Sequence, residues 1–288
     1  MDIVPQLILN SIIAGAIYTM ITLGFNLIYT TTKLIDLSYG ALSVVGGYSV
    51  FFFANKLGLD LYLAIILGVL IAGALGLLID RFVYQKLRAR KASTMIQLIA
   101  SLGVLTVIQA IIAILFTSQF QTLSDPSSFN RTFEIGTAVI TEVQVIILSV
   151  GLTILFLLFL LREKTMFGKA MKAVSDDEEV AKIVGINTDK IISKVFFIGS
   201  SIAGLAGIMI GFDTGLEPTM GLPVLLKGII ASIVGGIGNI YGGVLGSFFL
   251  GFVENFGIWK ISGEWKDAIA FSVLILFLLF RPNGILKR

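Results

Sequence analysis

Long apolar segments alternate with short polar segments along almost the whole chain. Runs that are long enough to cross a bilayer, roughly 17–25 residues each, lie at about 6–30, 38–55, 60–80, 95–117, 142–161, 190–212 and 266–281. A further apolar region, 222–255, is interrupted by the sequence GGIGNIYGG. The pattern predicts an all-α polytopic membrane protein, built as one membrane domain over residues 1–288. We expect about eight transmembrane helices, a broken or re-entrant helical pair in 222–255 and a cytoplasmic coupling helix.

The composition supports this fold class and excludes several kinds of catalytic and metal site. Of 288 residues, 56% are hydrophobic and only 14% are charged, whereas a soluble domain carries about a quarter charged residues. The chain has no Cys and no His, which excludes thiol nucleophiles, disulfides and most zinc or haem sites. The commonest general base is therefore absent, and an intramembrane enzyme is disfavoured. The net charge of +3 is not gathered into a nucleic-acid-binding patch.

The basic residues predict an orientation in the membrane. Lys and Arg concentrate in the loop at 81–91, in the loop at 162–190 and in the tail RPNGILKR, and such segments face the cytoplasm. The segment 118–141 holds a single Arg and is predicted to lie outside. Counting back places the N-terminus outside, where we interpret the first apolar run as a transmembrane helix rather than a signal peptide. By the same parity, 222–255 begins and ends outside, as two short helices or a re-entrant pair.

One polar, helix-prone segment interrupts the apolar second half, MFGKAMKAVSDDEEVAKIVGIN at 166–187. Ser175 is predicted to be a helix N-cap, and Glu178 the residue that completes a capping box. Gly185 is predicted to end that helix. Its apolar positions form one stripe, Val180, Ile183 and Val184.

Three interpretations of this amphipathic helix remain open on physical grounds. It is a solvated linker, an interfacial helix lying on lipid, or a docking helix whose apolar stripe enters the groove of a cytoplasmic partner. Interfacial helices are rich in Lys and Arg, whereas this helix begins with four acids at 176–179.

The same segment resembles the cytoplasmic coupling loop of branched-chain amino acid ABC transporter permeases, the counterpart of the EAA loop in other ABC importers. Residues 15–40, 80–104, 222–255 and 266–288 are similar to successive parts of that family, so the resemblance covers nearly the whole chain in order. The family commonly has NFAHG after its first helix. This chain has DLSYG at 36–40 instead, which leaves urea, short amides and other amino acids open as substrates.

The resemblance implies a permease subunit of an ATP-binding cassette importer in the cell membrane, moving branched-chain amino acids by alternating access. It implies a paralogous permease as the second membrane half (a heterodimer, or a homodimer), two cytoplasmic ATPase subunits and an extracytoplasmic solute-binding protein. The chain has no G-x-x-x-x-G-K-[ST] phosphate loop. We therefore expect a transport subunit that binds no cofactor or metal and no nucleic acid, with ATP hydrolysed by its partners.

The resemblance also assigns roles in the coupling loop, 163–189. The residues expected to carry ATPase coupling are Gly168, Lys169, Glu178, Glu179, Ala181, Val184, Gly185 and Ile186. Ala181 is small enough for a close approach to the partner, and the two glycines allow the chain to turn.

Five residues are predicted to lie on the substrate path. Lys227, Asn239 and Glu254 lie in or beside the broken region, where an ionisable side chain in an apolar segment indicates function. Asp36 and Tyr39 are weaker candidates. The alternatives are that Lys227 and Glu254 extend to the outer interface, and that Asn239 and Asp36 cap helices.

Two rival functions are weighed against the permease. A secondary transporter driven by an ion gradient uses buried acids as ion sites, but here Asp and Glu lie almost entirely in loops or at helix ends. A structural scaffold does not account for the docking helix.

Overall fold

The structure is a computed structural model that describes residues 3–123 and 131–286, so part of the predicted outer segment 118–141 lies outside the described residues. The helices are α1 Ile3–Thr32, α2 Ser38–Val50, α3 Leu61–Ile79, α4 Gln85–Ala89, α5 Thr94–Phe116, α6 Glu142–Lys164, α7 Met166–Asp176, α8 Glu178–Ile183, α9 Thr188–Asp213, α10 Gly221–Gly235, α11 Ile240–Gly257 and α12 Lys266–Phe280. The strands β1 Thr132–Ile135 and β2 Ala138–Thr141 form an antiparallel hairpin.

The prediction of an all-α polytopic membrane protein is confirmed. Five of the described helical segments are long and apolar enough to span a bilayer: α1, the continuous α3–α4 segment, α5, α6 and α9. The α10–α11 pair, bent by 115°, makes six if it is one span. The count of eight stays a prediction, since α12 has only 15 residues and α2 is followed by a wider helical turn at Phe51–Lys56.

The helices form a buried centre and an apolar outer layer. α1 and α9 are largely buried within the protein, whereas α5 and α6 expose large side chains such as Ile114 and Leu152. In a membrane protein this exposed surface faces lipid, which is as apolar as the side chains themselves. Small residues bring the central helices together: a Cβ on Gly46 of α2 would overlap the backbone of Gly204 in α9.

The broken region is two helices, α10 and α11, that meet at a bend of 115°, and we call them the α10–α11 hairpin. The α10–α11 turn lies beside α1, where the Gly238 amide donates to Asn26 Oδ1 at 3.2 Å. The C-terminal tail closes the end of α10: the Ile285 and Leu286 amides donate to the carbonyls of Val234 and Gly235, at 2.9 and 3.0 Å. The hairpin therefore starts and ends on the side of the bundle away from this tail. That this side is the outer side of the membrane stays a prediction.

The three basic segments gather at one end of the bundle. Arg88 lies 2.8 Å from Asp80 and 3.9 Å from Asp189, so the loop after α3 meets the start of α9. At the same end, Ser175 Oγ of α7 donates to the Thr30 carbonyl of α1 at 2.8 Å. We refer to this as the coupling end. That it faces the cytoplasm stays a prediction.

Candidate functional site

A cavity of about 490 Å³ opens at the end of the bundle opposite the coupling end. Helices α1, α9 and α10 supply an apolar wall that includes Ile13, Ile17 and Val224. The rest of the lining carries charges of both signs, among them Lys227 and Asp213. Ligand sites of this size commonly combine an apolar wall with a few convergent polar groups. We call this space the outer cavity.

An ion-pair network ties together four helices around the outer cavity. Lys227 Nζ lies 3.0 Å from Asp267 Oδ1 and 3.8 Å from Glu254 Oε1. Lys266 Nζ lies 3.7 Å from Glu254 Oε2, and the Tyr18 hydroxyl donates to the same oxygen at 2.5 Å. The sequence-predicted residues Lys227 and Glu254 are therefore brought together, and they join α10 and α11 to α1 and α12.

The two acids of the network differ in how firmly they are held. Glu254 is 0% exposed, so its charge is sheltered and depends on the neighbouring Lys and Tyr side chains. It does not extend to the interface. The Asp267 side chain is 63% exposed, and pairs with such an exposed partner are weak. Of the two acids beside Lys227, Asp267 is therefore the one that another anion can displace more easily.

The coupling end carries a short helix that begins differently from the prediction. Asp177, not Ser175, is the N-cap of α8: its carboxylate accepts from the Glu179 and Val180 amides at 2.8 and 3.0 Å. The reason is that α7 continues through Asp176, and Asp177 alone takes an extended backbone conformation. The predicted capping box at Ser175 and Glu178 is wrong, and Ser175 instead bonds α1.

The apolar stripe of α8 faces outward. Val180, Ile183 and Val184 are all exposed, with Ile183 82% exposed. Ala181, by contrast, is only 2% exposed, so its small side chain serves packing within this chain and not a surface that a partner reaches. Lys169 is exposed on α7. We call Val180, Ile183 and Val184 the docking face.

The acids beside the docking face are fixed by local bonds. Glu178 lies 2.7 Å from Lys182 Nζ and accepts from Thr188 Oγ1 at 3.3 Å, which ties α8 to α9. The hydrogen bond to Glu178 raises the pKa of Lys182, because it favours the charged ammonium form of the lysine. Glu179 is exposed, and Ile186 is partly buried.

The two glycines that bracket the segment have different roles. Gly185 has a φ of +88° and open space around it, so it ends the helix in the left-handed conformation, as the sequence predicted. Gly168 lies inside α7, where a Cβ would overlap the carbonyl groups of Leu161 and Arg162. Its small size therefore allows the tight bend from α6 into α7.

The other predicted path residues lie away from the outer cavity. Asp36 is buried, and its Oδ1 accepts from the Ser38 amide and from the Tyr84 hydroxyl at 2.9 and 2.6 Å. Asn239 caps α11 by accepting from the amides that follow it. The capping alternative therefore holds for Asn239. The N-cap of α2 is Leu37, and Asp36 bonds the first amide of that helix from one position earlier. Tyr39 is fully buried, and its path role stays a prediction.

Comparison with known proteins identifies the family. The family model for the branched-chain amino acid transport system permease component matches residues 7–278. The chain belongs to this permease family. It is 30% identical to the branched-chain amino acid permease BraD of Pseudomonas aeruginosa, and 31% identical to LivH of Escherichia coli. Each alignment covers 98% of this chain and 95% of the relative.

A more distant relative agrees with this assignment, and a solved structure shares the fold. The permease is 27% identical to a probable branched-chain amino acid permease, LivH, of Methanocaldococcus jannaschii, over 99% of this chain and 93% of the relative. Its fold resembles that of PsaBC from Streptococcus pneumoniae, with a TM-score of 0.54 at 16% identity, over 98% of this chain and 93% of that one. It is thus a multi-pass membrane protein and a transport component.

Sequence reasoning missed several residues of the outer cavity. Gln144 lies between two valines with nothing to mark it, and Asp213, Lys266 and Asp267 lie at helix ends, where charges are ordinary. A usable signal exists for Tyr18 alone, since it begins a series of polar residues at every fourth position of α1.

Proposed function

We propose that the permease imports branched-chain amino acids, and that the outer cavity receives them. The observation that carries this proposal is the combination of an apolar wall with charges of both signs in one cavity of about 490 Å³. An amino acid of this class presents a carboxylate, an ammonium group and an apolar side chain, and the cavity offers a partner for each. The names of the permease's relatives support the same substrate class over urea or amides.

Each part of the substrate is assigned to a part of the cavity. Its carboxylate binds Lys227 and replaces the exposed Asp267, so one ion pair exchanges for another. Its apolar side chain lies on the wall of Ile17 and Val224. Its ammonium group binds Asp213, whose carboxylate is positioned by the amide of Gln144 at 3.3 Å. Glu254 holds Lys227 and Lys266 in place rather than touching substrate.

The docking face is assigned to a cytoplasmic ATPase subunit. Exposed Val180, Ile183 and Val184 lie in water at the coupling end, where an isolated apolar patch indicates a protein contact. The four acids before them disfavour lipid as the occupant. Two such ATPase subunits hydrolyse the ATP, since the chain has no phosphate-binding loop of its own. A solute-binding protein on the other side delivers substrate to the outer cavity.

Movement of the docking face reaches the transport helices through α7. Ser175 joins α7 to the Thr30 carbonyl at the end of α1, and α1 also lines the outer cavity. Closure of the ATPases therefore displaces the end of a central helix, which reorients the bundle between outward- and inward-facing states. In this account the N-terminus is outside, the C-terminus is cytoplasmic and a second permease subunit completes the membrane part.

Uptake by a Lys227→Met variant tests the substrate site. In proteoliposomes that hold the complete transporter, we expect the KM for leucine to rise about tenfold or more. The reason is that the substrate carboxylate loses a hydrogen bond to a charged group. The matched control is Lys260→Met, since Lys260 is an exposed lysine outside the cavity and its loss leaves KM unchanged. An unchanged KM in Lys227→Met contradicts the assignment of the cavity.

A further inference from the structure

A second cavity lies at the coupling end, where the ends of α1 and α6 meet α7 and the start of α11. Its volume is about 140 Å³, which is smaller than the roughly 300–1,000 Å³ of sites for drug-sized ligands. The cavity therefore suits one small molecule rather than a nucleotide. We call it the coupling cavity.

Two hydrogen-bond donors of the coupling cavity lack a partner. Asn26 and Arg162 both line the cavity, and among the described residues neither Asn26 Nδ2 nor Arg162 Nε, both buried, has a hydrogen-bond partner. Turning the Asn26 amide over does not remove the problem, because its Oδ1 already accepts from Ser232 Oγ and the Gly238 amide. A buried donor without a partner is costly and needs an explanation. A carboxylate in the cavity gives one, since it accepts from amide and guanidinium groups alike.

The charges around the coupling cavity also favour an anionic group. Lys172 lines the cavity, but its Nζ lies 2.8 Å from both carboxylate oxygens of Glu163 and is already paired. Arg162 belongs to none of the ion pairs between the described residues. A sheltered cation without a partner is unfavourable, so Arg162 is the side chain that a carboxylate would pair with.

The rest of the lining selects among anions. Leu27 and Ile240 form an apolar wall, and Asp176 adds an exposed carboxylate. Asp176 repels an ion that carries only negative charge, whereas it binds an ammonium group. An amino acid with an apolar side chain therefore matches the whole lining: its carboxylate binds Arg162 and Asn26, its ammonium group binds Asp176, and its side chain lies on the wall.

A ligand in the coupling cavity would contact the helices that carry the coupling movement. The cavity lies between α7 and the transport helices α1, α6 and α11, beside the bond from Ser175 Oγ to the Thr30 carbonyl. A ligand that binds all four helices in one arrangement stabilises that arrangement. Bound ligand therefore opposes the displacement of α7 by the ATPase subunits.

We infer that the coupling cavity is a regulatory site, in which a branched-chain amino acid from the cytoplasm binds and slows import. The transporter is then inhibited by its own product. This inference rests on the proposed function. It adds a second, separate binding site for the same substrate class and a role for Arg162.

ATP hydrolysis in proteoliposomes tests the site. The vesicles hold the complete transporter with the docking face outward, and contain solute-binding protein with saturating leucine, so the outer cavity is supplied throughout. We expect leucine added outside, together with ATP, to lower the rate of hydrolysis. Leucine methyl ester and acetate at the same concentration are expected to leave it unchanged, because the first lacks the carboxylate and the second lacks the ammonium group. An equal effect of either compound overturns the assignment.

Arg162→Gln is the variant that decides the inference. We expect the outside leucine concentration that halves the rate to rise about tenfold or more, because the carboxylate loses a charged partner. The matched control is Lys164→Gln, since Lys164 is an exposed cation near the end of the same helix and does not line the cavity. Its half-inhibiting concentration stays that of wild type. Equal inhibition of Arg162→Gln and wild type overturns the inference.

Asp176→Asn repeats the test at a position where folding is not at risk. Asp176 is exposed, and loss of its charge is expected to weaken inhibition by leucine while leaving the rate without outside leucine unchanged. Unaltered inhibition in this variant contradicts the inference. A wild type that imports leucine but is not slowed by leucine on the ATP side refutes the inference alone. A wild type that imports no leucine refutes the proposed function, and the inference with it.

Discussion

At the scale of single residues, position in the fold decides what a charge does. Glu254 and Glu264 are both glutamates near the start of α12, but Glu254 is fully buried beside Lys227 and Lys266 whereas Glu264 is exposed. A buried carboxylate holds its neighbours in place, since removing one partner leaves the others uncompensated. An exposed carboxylate is solvated by water, so its loss leaves no neighbouring charge without a partner.

Glu254→Gln tests this difference. The change keeps the shape and removes the charge, and we expect the free energy of unfolding to fall by about 1–3 kcal/mol. Glu264→Gln is the matched control, with an expected change within about 0.5 kcal/mol. Thermal unfolding in detergent measures both. Equal stability of the two variants contradicts a structural role for Glu254.

Gly185 provides a second test at this scale. Its φ of +88° lies in open space, so alanine there meets no atom but strains the backbone, at a cost of about 1–2 kcal/mol. Gly263→Ala is the control, since Gly263 also has open space but an ordinary φ. A lower unfolding temperature for Gly185→Ala alone is the expected result. An equal temperature for the two variants would show that the turn after α8 adapts freely.

At the scale of elements, α8 is a short helix held on one side and open on the other. Ala181 faces the protein and Ile183 faces water. The helix is anchored by the Asp177 cap and by the Glu178 bond to Thr188, so its exposed face keeps a fixed orientation. A rigid apolar face is what a partner groove recognises.

Ile183→Asp tests the docking face. A charge in the centre of an apolar contact is expected to abolish copurification of the ATPase while the permease remains folded. The matched control is Val139→Asp, the same kind of change at an exposed position of β2, which packs beside Gln6 at the opposite end of the bundle. Retention of the ATPase by Ile183→Asp would move the docking surface elsewhere.

At the scale of the whole molecule, the sequence predicted where the helices lie better than which residues of different helices contact one another. The apolar runs at 95–117 and 190–212 correspond to α5 Thr94–Phe116 and α9 Thr188–Asp213. Such helices can be predicted because the length of an apolar run depends only on consecutive residues of the sequence. The Tyr18 bond to Glu254 spans 236 residues, and nothing local encodes it. The burial of Ala181 likewise depends on how α8 rests on its neighbours.

The central claim is that ATP hydrolysed by partner subunits drives amino acid uptake through this chain. Its most direct test is leucine uptake into proteoliposomes that hold the complete transporter and its solute-binding protein, with ion gradients collapsed by ionophores. The account predicts uptake that requires ATP on the side of the docking face and is lost with Ile183→Asp. Uptake that proceeds without ATP, and only when an ion gradient is imposed, would contradict it.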